Sequence, residues 1–479
     1  MRKTVYTGRE QIFIPEVKVN TENIRNIVAK CKSMMEKNGV AMRYLWNYYK
    51  GDQPINDRVK DIRPEITNKI VENHANEIVE FKKGYIFGDP VMYVQKGKQG
   101  IETGYDEPSK VSPLNEYMSE DNKPAKDVDL SEYMFVCGTA YRMALPTEEG
   151  EELPFETDVL VPWDTFVAYD TGFGKKPWLC GYRVRKVVDD KEIEVIVAYT
   201  KNRRYDIYAD ENKTINEFPN VLGELPIIEY PLNQMRLGSF EIVLDLLDAL
   251  NTIASNRVDG IEQFVQHLVK FINCEIDTKT YQELRKEGAI QIKSTNNLPA
   301  DVEIMSQEMN QSQVQTLVDY IYQTILTITG VPDRKASAGG NTGQALIIGQ
   351  GWQNAEARAK SVEKIFSISE KRFLKLIMKI LKNTSGVDEE VKSLKLSEID
   401  IKFTRNKTDN LQTKTQGLQN LLEAGIHPRI AIATVGLFSD PEQVFADSQE
   451  YLKKWLQTIT TGNTSPDQAD PQANAVVVV

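Results

Sequence analysis

Several groups of residues have the types and spacing that could do chemistry. Gly339-Gly340-Asn341-Thr342-Gly343 precedes an expected helix, and a helix N-terminus offers unpaired N–H groups to an anion. No Gly-Lys-Ser/Thr follows, and the preceding element reads as a helix where a phosphate loop needs a strand. This segment therefore reads as a mobile loop with a mechanical task, not a nucleotide site. Asp245 and Asp248 fall on one helical face, a placement that would suit acid–base or cation chemistry. No histidine accompanies them, so they read as part of a solvated acidic flank. His74, His267 and His427 are scattered, as are Cys31, Cys137, Cys180 and Cys274, with no Cys-x-x-Cys pair. No zinc pattern results, no metal or cofactor is expected, and the thiols read as buried and reduced. No Gly-x-Ser-x-Gly elbow occurs either, so no catalytic residue is assigned. Tyr44, Trp46, Tyr48 and Tyr49 could stack on bases, but only Arg43 and Lys50 lie among them, which favours packing. Lys201-Asn202-Arg203-Arg204 reads as a basic hairpin turn facing solvent.

The chain has 479 residues and a formal net charge of −11. Proteins that grip DNA over a large surface neutralise phosphates and are usually basic, so a conventional DNA-binding domain is disfavoured. A protein that surrounds DNA without holding it remains compatible with this balance. No stretch approaches the roughly 20 apolar residues of a membrane span, and Met1-Arg2-Lys3-Thr4 leads into polar sequence unlike a signal peptide.

The elements that must position these residues follow from periodicity. Helical spacing is expected over 20–50, after Pro64 as far as Gly84, and over 113–137. Residues 90–94 read as a strand, and 138–230 as an antiparallel sheet with runs at 159–161, 166–169, 181–184 and 194–199. The most regular segment, Ser239 to Phe271, carries Ile242, Leu246, Leu250, Ala254, Val258, Ile261, Phe264 and Leu268 at three-four spacing. It predicts one helix about 45–50 Å long. Its other flank carries Glu241, Asp245, Asp248, Asp259 and Glu262 and is expected to be wet. A small α/β insert is expected over 272–308, with strands at 271–276, 289–292 and 302–305. A return helix through Val314, Leu317, Ile321, Ile325 and Ile328 stops at Thr329-Gly330-Val331-Pro332. A loop over 333–343, a long helix from Thr342 to about Lys382 with a possible bend at Gly349 and Gly351, and a strand at 399–403 follow. Helices over 408–424, 428–435 and 441–459 precede a disordered tail from Thr460. The fold class is α+β, mainly helical.

The order and spacing of three sets of short stretches carry a resemblance. The first is Tyr48-Tyr49-Lys50-Gly51 with Asn73-His74-Ala75-Asn76-Glu77-Ile78-Val79 and Lys83-Gly84-Tyr85-Ile86-Phe87-Gly88-Asp89-Pro90-Val91. The second is Leu225-Pro226-Ile227-Ile228-Glu229-Tyr230 leading to Ser239-Phe240-Glu241 and Leu247-Asp248-Ala249-Leu250-Asn251. The third is Thr329-Gly330-Val331-Pro332-Asp333 followed by Asn341-Thr342-Gly343-Gln344-Ala345-Leu346. From about residue 20 to 460 the chain resembles the portal proteins of tailed phages, especially those of phages of Gram-positive bacteria.

The resemblance implies a portal fold of wing, stem, clip and crown around a channel. Residues 1–238 would be the wing, completed by the long helix and strand of 344–405. Residues 239–271 and 309–332 would be the stem, 272–308 the clip, 333–343 the tunnel loop, 406–459 the crown and 460–479 a tail. It implies a ring, twelve-fold in the virion, that passes double-stranded DNA and docks the large terminase subunit and head-completion or adaptor proteins. Major capsid and scaffolding proteins would be further partners, no membrane would be involved, and assembly would occur in the host cytoplasm. Arg334, Lys335, Ser337, Gly339, Gly340, Asn341 and Thr342 would line the channel in the tunnel loop. Glu241, Asp245, Asp248, Asp259 and Glu262 would form an acidic wall that repels phosphates and lets DNA slide. Tunnel loops of relatives carry acidic and aromatic residues, whereas here Arg334 and Lys335 follow Asp333. These two are expected to touch the DNA backbone transiently. Another connector or adaptor ring is a competing reading that the chain length disfavours. A packaging nuclease or NTPase would need a Walker loop or a convergent carboxylate set, which the sequence does not show.

Overall fold

In the computed structural model the described residues are 8–61, 63–96, 111–148, 151–188, 191–210, 214–265, 268–272, 301–305, 311–333, 351–405 and 411–435, with Lys279 and a few residues between 437 and 451. The chain divides into two compact units. Residues 1–83, 129–143 and 159–369 form the first, and 84–128, 144–158 and 370–479 the second, so the region 1–238 contributes to both.

The first unit is built on a six-stranded sheet of order β1-β5-β6-β7-β8-β9. Its strands are β1 (Ile12–Phe13), β5 (Thr165–Tyr169), β6 (Pro177–Val188), β7 (Lys191–Tyr199), β8 (Arg203–Tyr208) and β9 (Asn216–Pro219). The strands from β5 onward pair antiparallel, while β1 runs parallel to β5 with Ile12 opposite Ala168. Phe166 and Ala168, Ile196 and Ala198, and Tyr205 and Ile207 alternate onto one face, as the period-two geometry of strands requires. Onto that face packs α1 (Ile24–Tyr49), whose Ile24, Ile27, Val28, Cys31 and Met35 lie on one helical stripe. β10 (Ile227–Pro231) pairs antiparallel with β3 (Thr139–Pro146), Glu229 opposite Tyr141. Sequence patterning anticipated the central strands but not β1, whose two residues are too short to show a period.

In the second unit β2 (Met92–Gln95) pairs antiparallel with β13 (Ile399–Lys402). α3 (Ser112–Glu120) and the C-terminal half of α7 (Trp352–Asn383) supply its apolar positions, including Leu114, Met118, Phe373, Ile377 and Leu381. Lys123 bridges Asp127 at 2.6 Å and Glu370 at 2.9 Å, and the Tyr93 hydroxyl donates to Glu370 at 2.6 Å. The four side chains of this polar cluster are almost fully buried.

Several helix boundaries depart from the periodicity. The helix expected after Pro64 begins only at His74 and continues through Gly84 as α2 (His74–Phe87). The expected 113–137 helix is broken between α3 and α4 (Lys123–Cys137), where Asn122 takes φ +56°, a left-handed conformation that Asn tolerates better than most residues. Gly351 has φ +82°, so no continuous helix runs through it, and α7 is described from Trp352. α9 (Leu411–Glu423) and α10 (Pro428–Val435) match the expected C-terminal helices after α8 (Glu389–Ser393), while most of 441–459 lies outside the described residues.

Candidate functional site

The segment with the most regular apolar spacing forms a shorter helix than its periodicity suggests. α5 runs Leu244–Val265 behind a 3₁₀ turn at Glu241–Val243. Residues 268–272 then form β11 (Leu268–Ile272), paired antiparallel with β12 (Asp301–Met305). The expected single helix to Phe271 is thus corrected. Leu268-Val269-Lys270-Phe271-Ile272 is as good a strand as a helical stripe, and a partner strand at 301–305 decides between them. At 1.5 Å per residue the 22 residues of α5 span about 33 Å. α6 (Gln311–Thr329) returns against α5, and Arg257 donates to Gln315 across the pair at 3.1 Å. α6 closes on Gly330 at φ +73°, whose N–H donates to Leu326 O at 2.8 Å, and Arg358 of α7 caps it by donating to Ile328 O at 2.6 Å. Ile242, Ile261, Leu317 and Tyr320 are exposed, Tyr320 at 69%.

The acidic flank does not form one wet face. Asp245 and Glu262 are exposed. Asp248 is half-buried and accepts from the Tyr48 hydroxyl at 3.0 Å. Glu241 and Asp259 are buried, which removes them from any solvent-facing wall. Glu241 pairs with Arg9 at 2.5 Å and accepts from the Gly238 N–H at 2.8 Å, and burial still pushes its carboxyl above the ordinary value.

Asp259 belongs to a polar stripe with Asn251 and Ser255, spaced four residues apart on α5. Across this stripe lie residues 67–73, which are extended, and Arg58 and Lys60, which precede them on the other side of a turn at 64–66. Asn251 Oδ1 accepts from Glu72 N–H at 2.8 Å, and Ser255 Oγ from Ile70 N–H at 2.9 Å. Asp259 Oδ1 accepts from Asn68 N–H at 2.8 Å. Asp259 Oδ2 also meets Lys60 at 2.9 Å and Arg58 at 3.0 Å. Burial would raise the Asp259 carboxyl, yet the Asn68 amide, Lys60 and Arg58 hold it down at about 2. These bonds explain why residues 68–73 are not helical: their amides serve α5 instead of a helical turn.

The same segment reaches α6. His74 Nδ1 lies 2.8 Å from Glu77 and Nε2 3.4 Å from Glu72, and its ring packs on Tyr322 at 4.8 Å between centroids. The Tyr322 hydroxyl donates to Glu77 at 3.0 Å. Burial opposes the imidazolium, but Glu72 and Glu77 outweigh it and raise His74 to about 9. A histidine raised in the folded state stabilises fully below its unfolded value near 6.5, and that contribution is lost as pH rises through about 9. Denaturant titrations of the wild type should lose about 2 kcal/mol across this window, after allowance for partial solvent screening. His74→Gln should flatten that part of the profile.

A second polar cluster lies where β3, β5 and β10 meet. Glu229 accepts from Arg236 at 2.6 and 3.0 Å, from Thr139 at 3.1 Å and from Tyr169 at 2.5 Å. Burial would raise Glu229, but the Arg236 guanidinium keeps it below the usual carboxylate range. Arg9, Tyr141, Glu229 and Arg236 border a cavity of about 10 Å³, room for one water. Among the described residues no group of His, Cys, Asp and Glu could hold a metal ion. Cys31, Cys137 and Cys180 are buried free thiols.

The expected loop residues Arg334, Lys335, Ser337, Gly339, Gly340, Asn341 and Thr342 lie outside the described residues, as does most of 272–308. Asp333, the last described residue before the expected loop, accepts from Gln323 at 2.7 Å. The aromatic group packs: Tyr48 stacks on Phe240 at 5.8 Å, and Trp46 meets Tyr133 at 4.8 Å. Arg204 belongs to β8 and pairs with Asp206 at 3.0 Å, so the hairpin turn is tighter than the basic run suggested. Sequence patterning missed Arg9, His74 and the Asn251–Ser255–Asp259 stripe. For the stripe a partial signal existed, since Asn251, Ser255 and Asp259 recur every four positions along the helix.

An α+β chain with an antiparallel helix pair closed by a Gly-Val-Pro turn defines a structural class, and family comparison identifies it. Residues 38–459 match the family model described as phage portal protein, SPP1 Gp6-like, and the chain belongs to this family of phage portal proteins. It is similar to the portal protein of Bacillus phage SPP1, with 23% identity over 267 residues, 53% of this chain and 50% of that protein. The chain thus spans about half the length of the curated relative it matches. No described helix is long and apolar enough to cross a membrane.

Proposed function

We propose that the chain is the subunit of a ring at one capsid vertex, twelve-fold in the virion, through which double-stranded DNA enters during packaging and leaves during ejection. The observation that carries this is the portal family match over residues 38–459. In this reading the chain is a structural conduit without catalysis. α5 and α6 serve as stem, 272–308 as clip and docking platform for terminase and head-completion proteins, and 333–343 as tunnel loop. Capsid and scaffolding proteins contact the ring at the vertex, and assembly takes place in the host cytoplasm. The exposed apolar positions support a ring. Leu317 and Tyr320 of α6 leave apolar area in water in the single chain, and a closed ring of head-to-tail contacts covers such a face on every subunit. Asp245 and Glu262, exposed on α5, are the acidic residues available to a channel wall. Arg334 and Lys335 meet the DNA backbone transiently in the tunnel loop.

Negative-stain images of the purified protein test the reading. Wild type should give rings with a central hole, and Tyr320→Glu should reduce ring particles by about tenfold through an unpaired buried charge. Monomers from the wild type under assembly conditions would overturn the ring. Among assembled rings, reversing both Arg334 and Lys335 should alter the amount of DNA packaged or retained, and unchanged packaging would remove the role given to those side chains.

A further inference from the structure

Residues 67–77, with Arg58 and Lys60 ahead of them, touch both helices of the pair, and by different chemistry. On α5 it uses main-chain amides. In an extended segment every second N–H points the same way, and Asn68, Ile70 and Glu72 donate to Asp259, Ser255 and Asn251 in turn. Three buried side chains of a helix therefore replace the neighbouring strand that those amides would otherwise need. Two extended residues advance about 6.6 Å and four helical residues about 6.0 Å, so three rungs fit within the play of the side chains. Asn251 Nδ2 adds a bond to Gln53 at 2.5 Å, and Lys60 and Arg58 close the other end on Asp259. On α6 the contact is the His74 ring on Tyr322, with Tyr322 bonded to Glu77.

Apolar packing tolerates small slides and rotations, because its contacts are non-directional. A polar ladder does not. Sliding α5 by one residue, or turning it by the corresponding 100°, would leave Asn251, Ser255 and Asp259 facing away from all three amides at once, each a buried group without its partner. We propose that residues 67–77, together with Arg58 and Lys60, are a bracket that sets the rotation and register of α5 and holds α6 to it, with Asn251, Ser255, Asp259 and Tyr322 as positioning residues for the DNA conduit. The proposal rests on the conduit reading above. In it, the bracket decides which flank of α5 faces the channel and keeps that setting while DNA moves past.

The test uses the full-length protein, alone and in phage whose own copy is inactivated. Ser255→Ala with Asp259→Ala should raise amide exchange in 66–73 and α5 at least about tenfold, while rings still form. Packaged DNA should fall by a similar factor. Ser255→Thr, which keeps a hydroxyl acceptor, should retain both protection and packaging, an outcome that a general loss of stability does not predict. Wild-type packaging by a double variant whose 66–73 amides exchange freely would overturn the proposal. So would free exchange of those amides in the wild type. Should the double variant fail to assemble, Tyr322→Ser decides: it removes both the ring packed on His74 and the hydroxyl bonded to Glu77, and normal packaging by it would overturn the bracket's hold on α6. If wild-type rings pass no DNA, the conduit reading fails, while the exchange data still judge the bracket.

Discussion

Gly138→Ala is expected to destabilise the first unit by at least about 3 kcal/mol, and a Gly138→Val chain should be recovered mostly insoluble. Gly138 joins α4 to β3 with φ +81°. A Cβ there would lie 2.0 Å from Arg236 O and 2.4 Å from the carbonyl carbon, and both neighbours are main chain that cannot swing aside. The left-handed conformation adds about 1–2 kcal/mol for any residue with a Cβ. The clash also displaces the chain beside Arg236, whose guanidinium is the charge partner of buried Glu229. Thermal melts of the purified variant check the outcome. A melting temperature within a degree or two of the wild type would show that the main chain relaxes around the new methyl group.

Arg9→Ala and Glu241→Ala should each cost about 3–5 kcal/mol, because each leaves its partner as an uncompensated buried charge. The pair is 2.5 Å apart with side chains only 1% and 0% exposed. Arg9→Met combined with Glu241→Leu should recover much of that loss, since replacing both charges by apolar groups removes two desolvation penalties along with one attraction. Denaturant midpoints of the four proteins give the comparison. Equal losses in the single variants and the double replacement would mean that the stabilisation comes from the bonds each residue makes to the main chain, such as Gly238 N–H to Glu241.

Much of the architecture was legible. β5, β6 and β7 of the six-stranded sheet announce themselves by β-branched and aromatic runs, and α1 by the helical spacing of Ile24, Ile27, Val28 and Met35. The Gly-Val-Pro stop of α6 falls where turn chemistry puts it. Beyond the local breaks at Asn122 and Gly351, what was misread shares one cause: long-range partners that no local pattern reveals. The extended strap 67–73 looks like part of a helix until Asn251, Ser255 and Asp259 are seen to hold its amides. β11 looks like helix until β12 arrives from 301–305. Asp259 and Glu241 look solvated because carboxylates usually are, and only the distant cations Arg58, Lys60 and Arg9 make their burial tolerable. Arg9 itself sits 232 residues from its carboxylate, beyond the reach of any spacing rule.

The unequal rulers of helix and strand have a consequence for how this gene can vary. Amides 68, 70 and 72 meet α5 like the marks of a vernier, coincident over three divisions and drifting beyond them. Deleting or inserting one residue between Asn68 and Glu72 would present the opposite edge of the strap to α5, turning carbonyls and side chains toward acceptors that need N–H groups. Substitutions along the strap that keep the main chain extended leave the marks aligned. This short stretch should therefore accept new letters readily and refuse a change of length, the reverse of what surface connections usually allow.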